Sequence, residues 1–441
     1  MAETESAPAG IYYPEDRIAV SRIIPLGMQH VIAMFGATVL APVLMGFNAQ
    51  TAVFFSGVGT LIFLVVTRFK VPSYLGSSFS YIGPVLAVTG GNPAFIPHAL
   101  FGIAASAVCY LGAAVYTIRK GSAWIDRLMP PLVTGSVVAI IGLNLAPGAV
   151  NEAMSGSLEL ASRQDWLNFS VAAITFTSAG ITAIYARGML RLIPILTGVL
   201  VGCVAAWAAG LVSQQSLETV RQAAWFGLPR FIAPVPDWGA VLVIAPLFVV
   251  LVAENKGHID AISAYMKRDL TPSLGRAYLG DALATLLSAC GGGTPQTTYA
   301  ENMSVMAITG VFATRMFAVA AGFAALLGLC PKFGAATHAI PMPVIGGVSV
   351  LLCGLITLMG VKIWIDNRLD LCSPRNLIVA GATLMIATGL GVKGITVGTV
   401  NIAGIAFGTV FAVVMNWALS AGSAGLTAEE AKACLESGSG V

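Results

Sequence analysis

Apolar runs long enough to cross a bilayer recur along almost the whole chain. A crossing helix needs about 20 mostly apolar residues. Runs bounded by Gly, Pro or charge fall near 23–46, 52–67, 96–118, 131–149, 167–186, 192–212, 239–258, 277–290, 311–330, 341–361, 376–391 and 400–419. Each predicts a membrane helix. Two more stretches are too short or too broken to be ordinary spans: 73–90 (SYLGSSFSYIGPVLAVTG) and 294–310. Each opens on an extended polar run, at 73–79 and 294–300, and continues as an apolar half-helix. The Ser, Thr, Tyr and Phe of those runs favour extended backbone. A lone strand cannot face lipid, so the two are expected to pair with each other across the bundle. Their half-helices then start near the midplane, with the positive ends of their dipoles at a shared site.

Counting both broken stretches gives fourteen crossings. The distribution of basic residues tests that count, because cytoplasmic loops collect Lys and Arg. With the N-terminus inside, 17 of the 23 basic residues fall inside, five outside and Lys256 within a span. Dropping either broken stretch scrambles the signs downstream. The third and tenth crossings are seven apart, and an odd offset inverts the second seven relative to the first. Paired, interrupted segments at matching places in two halves point to a transporter site. The expected fold is therefore an all-α polytopic membrane protein of 14 transmembrane segments in two inverted repeats of seven. Short antiparallel strands are expected in segments 3 and 10, with both termini cytoplasmic.

Composition agrees with a membrane class: 57% hydrophobic and 10% charged, where a soluble chain carries about 25% charged residues. The net charge of +3 and the lack of a basic stripe with aromatics give no sign of a nucleic-acid partner. The first 20 residues lack a cleavable signal pattern, so the mature chain is expected to start near Met1. The tail from Ala421 is expected to be mobile, with no soluble domain appended. The seven Cys are scattered without metal spacing and read as packing residues. Trp166, Trp225 and Trp238 sit in or beside the two longest outer loops and fit an interfacial belt.

Ionisable residues at membrane depth are functional candidates by default. Glu301 opens the second half of the tenth crossing and can accept N–H groups of a polar substrate. The bland reading is an acid favoured in a helix first turn. Glu254 and His258, in AENKGH, stand four apart on one helix face and can bind substrate and pass a proton. Each can instead be structural. Lys256 lies on another face, positioned to pair with Asp260. Gln29 and His30 interrupt the first span, and Asp281, in the ninth, reads better as a helix contact than as a substrate ligand. No HExxH, Walker A or nucleophile–base set is present, so metal, ATP drive and an intramembrane enzyme are unsupported.

The stretches QHVIAMFGATVLAP, VPSYLGSSFSYIGP, AENKGH, TTYAENMSVMAIT and IPMPVIGGVSVLLCG together resemble the nucleobase–ascorbate transporter family, nearest its bacterial uracil and pyrimidine permeases. The resemblance covers roughly residues 20 to 420. It implies a core domain of segments 1–4 and 8–11 (21–120 and 239–335) and a gate domain of segments 5–7 and 12–14 (121–238 and 336–420), with tails 1–20 and 421–441. It implies proton- or sodium-coupled symport by a homodimer in a bacterial inner membrane, with no cofactor beyond the co-transported ion and the proton favoured over sodium. By position it makes Glu254 and Glu301 ligands of two edges of a base. It gives carbonyl-binding amides at Phe79, Tyr299 and Ala300, and packing around the ring at Ala37. Glu254, His258 and Glu301 carry proton coupling, and His30, Gln29, Asn302 and Ser304 support the site.

Ser304 replaces the Gly of the family's signature, which implies an added side chain where helices pack closely. Ala300 stands where a uracil permease can have Gly. Purine members more often carry Gln at the Glu301 position, so the acid favours a pyrimidine. The expected activity is proton-coupled uptake of uracil or a related pyrimidine. The rivals are a purine (xanthine or urate) member of the same family and an anion transporter of the same architecture.

Overall fold

The computed structural model describes residues 11–392, 394–397 and 400–420. The tail 421–441, with Lys432 and Cys434, lies outside the described residues, as do residues 1–10 and Lys393. Among the described residues, seven helices are long and apolar enough to cross a membrane, or eight counting one bent pair.

In chain order the helices are α1 (Val20–Leu44), α2 (Ala49–Val66), α3 (Ile82–Thr89), α4 (Ile96–Lys120), α5 (Pro131–Ala153), α6 (Arg163–Tyr185) and α7 (Pro194–Ala208). There follow α8 (Trp238–Met266), α9 (Leu274–Cys290), α10 (Ala300–Thr309), α11 (Thr314–Gly328), α12 (Met342–Asp366), α13 (Pro374–Leu390) and α14 (Gly404–Ser420). Short helices Ala123–Leu128 and Gln214–Gln222 lie in loops between them.

Two differences from the apolar runs have physical causes. The run at 311–330 yields α11 and then a second helix, Pro331–His338, turned by 79°. Pro331 forces the turn because its ring cannot continue the preceding helix. The run at 400–419 is not one helix: β3 (Ile395–Val397) pairs with β4 (Val400–Ile402), and α14 starts only at Gly404. The β-branched Val400 and Ile402 suit a hairpin. A Cβ on Gly404 would overlap the carbonyls of Ala387 and Gly391, so the backbones of α13 and α14 meet there.

Helices α1, α2, α4, α9 and α11 pack as one set, and α5, α6, α7, α12, α13 and α14 as another. The second set is built on small residues. Gly142 faces the carbonyl of Cys353, and Gly360 faces the carbonyl of Gly135 and the amide of Ala139. Small residues let helix backbones approach closely where lipid gives no hydrophobic drive between them.

Two short strands pack against α1, α2, α8 and α9. β1 (Leu75–Ser77) pairs antiparallel with β2 (Gln296–Thr298) in the register Leu75↔Thr298, Gly76↔Thr297, Ser77↔Gln296. A two-stranded sheet in a membrane leaves two edges of unpaired backbone, costly unless satisfied. Hydroxyls on the flanking helices satisfy them. In α2, Ser56 donates to Leu75 O at 2.6 Å and Thr60 accepts from Leu75 N at 2.9 Å. In α9, Thr285 accepts from Gln296 N at 3.0 Å and Ser288 donates to Thr294 O at 2.6 Å.

Candidate functional site

Each strand runs directly into a helix start. β1 leads through the single turn Phe79–Tyr81 into α3, and β2 leads into α10. The first amides of a helix have no acceptor further back along it. Phe79 and Ala300, which stand at those two helix starts, both line one cavity of about 300 Å³. The third wall is α8, whose Glu254, His258, Ala261 and Tyr265 recur at helical spacing along one face. The fourth is apolar, from Val138 and Ile141 on α5 and Ile356 and Met359 on α12.

Glu254 and Glu301 both line this cavity. Ser80, on the turn after β1, donates to Glu254 Oε2 at 3.2 Å and so ties the acid on α8 to the strand pair. His258 Nδ1 lies 2.7 Å from Thr298 Oγ1. Thr298 donates in turn to Asn255 Oδ1 at 3.2 Å, and Asn255 Nδ2 donates to Asp281 Oδ2 at 2.7 Å and to Tyr110 OH at 2.9 Å. With Thr298 donating to Asn255, the contact is completed by the His258 tautomer whose Nδ1–H donates to Thr298. A continuous polar thread runs from the cavity wall to a fully buried acid on α9.

Of the residues singled out in the sequence, Phe79, Glu254, His258, Tyr299, Ala300, Glu301 and Ser304 all line the cavity. Four do not. Ala37 is fully buried in α1 behind the strands, so it is not in contact with the cavity. Gln29, His30 and Asn302 are buried away from it. Asn302 Nδ2 donates to His30 O at 3.1 Å and lies 3.0 Å from His30 Nδ1, which fastens α10 to α1.

Two roles need correction. The amide of Tyr299 donates to Tyr74 O at 3.1 Å, so it is spent on the strand pair and only Ala300 offers its amide. Tyr299 contributes its ring instead, lying over Gly76 with its hydroxyl on Ser77 O at 3.0 Å. A Cβ on Gly76 would overlap that ring. Ser304 is not in a tight helix crossing: it is exposed on the cavity wall, with its hydroxyl on Ala300 O at 3.2 Å.

Ser80, Thr298 and Asn255 were not picked from the sequence. The signal was there in part, since Thr298 lies in the polar run and Asn255 lies between Glu254 and His258. Lys256 pairs with Asp260 at 2.6 Å, on the other side of α8.

The cavity runs along α8 away from the strand pair. It continues past Tyr265 to Lys362 and Asp366 at the ends of α8 and α12. At the other end Phe79 also packs against an apolar seal of Leu40, Ile195, Ile345, Val348 and Leu352. Phe79 thus stands between the cavity and this apolar seam, in which only a small pocket of about 20 Å³ remains beside Gly36 and Ile195.

The model of the Permease family matches residues 21–397 of this chain. The chain belongs to that family, the nucleobase–ascorbate transporters. The permease is 42% identical over 426 residues to the putative pyrimidine permease RutG of Escherichia coli K12, covering 95% of this chain and 94% of that one. It is 41% identical to the uracil permease of Bacillus caldolyticus, over 91% of this chain and 93% of its relative. Among solved structures, the transmembrane domain of the cyanobacterial bicarbonate transporter BicA matches with a TM-score of 0.63 at 11% identity, covering 92% of this chain and 99% of that one. Murine Slc26a9, an anion transporter in its inward-facing state, matches with a TM-score of 0.67 at 10% identity, over 94% and 70% of the two chains. At such identity these two speak for the fold alone. The permease is a multi-pass membrane transporter and not an enzyme.

Proposed function

We propose that this permease takes up uracil or a closely related pyrimidine together with a proton, by alternating access. The observation that carries the reading is the pairing of two carboxylates, Glu254 and Glu301, with the helix starts at Phe79 and Ala300 around one cavity. Uracil presents two N–H donors and two C=O acceptors. Carboxylates accept from the first and helix-start amides donate to the second. The apolar wall of α5 and α12 suits the faces of a flat ring. The names of the curated relatives point the same way. An anion fits less well: among the described residues, the lining offers two acids near the strands, and its one Lys, Lys362, lies at the mouth.

On this reading the chain makes fourteen crossings in two inverted repeats. The matched support of β1 by α2 and of β2 by α9, seven crossings apart, favours it. The set containing α1, α2, α4, α9 and α11, with α8 and the strands, is the core domain, and the set built on α5 and α12 is the gate. Basic loops follow α8 and α12, so the open end of the cavity faces the cytoplasm of an inner membrane and both termini lie inside. The protein works as a homodimer. A proton taken up at Glu254, Glu301 or His258 travels with the base, and sodium is not required.

Uptake of labelled uracil into proteoliposomes with an imposed pH gradient, with and without sodium, tests this. Accumulation driven by an inward-acid gradient in sodium-free buffer is expected. Uptake that needs sodium overturns the coupling, and xanthine or urate outcompeting uracil overturns the substrate.

The thread behind His258 gives a further expected result. Thr298→Val removes the hydroxyl shared by His258 and Asn255. Each buried polar group left unpaired costs about 1–3 kcal/mol. Uptake is expected to fall about tenfold or more, with Thr298→Ser near wild type. Equal initial rates for Thr298→Val and wild type would show that the thread plays no part in transport.

A further inference from the structure

We infer that residues 11–16, ahead of α1, form a clasp that holds the far end of the site-bearing helix α10 and so positions Glu301. Tyr12 makes a parallel bridge to Val311: its N–H donates to Gly310 O at 2.9 Å, and Phe312 N–H donates to Tyr12 O at 2.8 Å. Thr314 Oγ1 donates to Pro14 O at 2.9 Å and also contacts Phe69 O at 3.2 Å. Glu15 pairs with Arg268, two residues past the end of α8, at 2.6 Å. Asp16 closes the segment by accepting from Tyr13 N at 2.7 Å. The clasp therefore joins the ends of α2, α8 and α10.

The need for such a clasp follows from α10 itself. It has ten residues, too few for a helix to persist without tertiary support. Its first turn carries Glu301 and the free Ala300 amide. Ser304, Ala307 and Ile308 are exposed, so one side of the helix has no packing to hold it. β2 fixes the start of α10, and Gly310, at φ +68°, ends it in a turn whose amide returns to Met306 O at 2.9 Å while its carbonyl is taken by Tyr12 of the clasp. A helix pinned at both ends presents Glu301 in one place. Without the clasp, α10 is held near its start by β2 and by Asn302 on His30, and its far end can shift about those points.

The clasp does not depend on which substrate is carried, but the affinity test below rests on the uracil reading. The full-length chain, Tyr12→Ala, Tyr12→Pro and Thr314→Val are compared by backbone hydrogen exchange across 300–310 and by calorimetric titration with uracil. Tyr12→Ala keeps the N–H that binds Gly310 and is expected to bind within about twofold of wild type. Tyr12→Pro has no N–H to donate. It and Thr314→Val are expected to raise exchange at 300–310 and to weaken uracil about three- to tenfold, the range of one or two lost hydrogen bonds. The number of sites per protein stays unchanged, whereas simple misfolding lowers that number and leaves the affinity of the rest alone. Combining Tyr12→Pro with Thr314→Val adds less than the sum, because both open the same clasp. Exchange in Tyr12→Pro and Thr314→Val equal to wild type overturns the clasp. Faster exchange with unchanged affinity overturns its positioning role. A wild-type chain that binds no uracil defeats the uracil reading instead, and the exchange result then decides the clasp alone. If Tyr12→Pro does not fold, Thr314→Val decides it.

Discussion

Glu254→Gln is expected to leave about a hundredth of wild-type uracil uptake or less. The substitution keeps size, shape and one acceptor oxygen, so packing on α8 is nearly undisturbed. What it removes is the charge and the protonation site. A hydrogen bond to a charged group contributes about 1.5–3 kcal/mol, or roughly tenfold to 150-fold in affinity. The new amide NH₂ also faces N–H groups of the base, donor against donor. A fall of this size comes from binding alone, and loss of a proton acceptor adds to it. Ser80→Ala separates the two effects. It removes only the 3.2 Å bond to Glu254, so uptake is expected to fall a few fold with coupling intact. The measurement is the initial rate of labelled uracil uptake with and without an inward-acid gradient. If Glu254→Gln kept wild-type, gradient-dependent uptake, this acid would be neither ligand nor proton carrier.

Why Glu254 was legible in the sequence, and Ser80 was not, has a physical basis. A carboxylate in an apolar run is costly enough to demand an explanation wherever it lies. A hydroxyl is not, because Ser and Thr satisfy themselves on their own helix, as Thr409 does on Ile405 O. So hydroxyls that serve the strands, such as Ser56 and Thr285, are indistinguishable in sequence from those that serve only their own turn. The breaks at 73–79 and 294–300 were readable as polar interruptions. Register was not: the placing of Gly76 opposite Thr297 follows from the ring of Tyr299, which needs the space a side chain would fill. The same limit explains Ser304. Its departure from a Gly signature suggested crowding, but the direction it faces is set by how α10 turns on its axis, and it faces the cavity. It explains Ala37 too, since one residue's rotation about α1 decides between lining a cavity and packing behind it. At the far end of the chain, length alone misled. Apolar β-strand and apolar helix look alike over a few residues, so the run at 400–419 takes in β4 and leaves β3 to the loop before it.

The seam opposite the cavity mouth yields the second large effect. Gly36 on α1 lies so close to Ile195 on α7 that a Cβ there would overlap the Ile195 side chain. With Leu40, Ile345, Val348 and Leu352, this contact narrows the side away from the cavity mouth to a small pocket. In the alternating-access reading the seam must part for the base to enter from outside, so it is closed in one state and open in the other. A larger residue at Gly36 burdens only the closed state. Overpacking costs about 1–3 kcal/mol, which shifts such an equilibrium by roughly fivefold to 150-fold. Gly36→Val is therefore expected to hold the permease open to the outside. Uracil still binds from that side, but net uptake falls at least tenfold. An impermeant thiol reagent reaches a Cys placed at Val348 faster than in the unmodified background. Ile195→Ala makes room for the added methyls, so Gly36→Val with Ile195→Ala is expected to recover most of the rate. That recovery distinguishes a shifted equilibrium from a damaged fold, because a core truncation cannot repair general destabilisation. Wild-type uptake by Gly36→Val with Ile195 in place would mean that the seam never closes as tightly as its geometry requires, and that the outer barrier of this permease lies elsewhere.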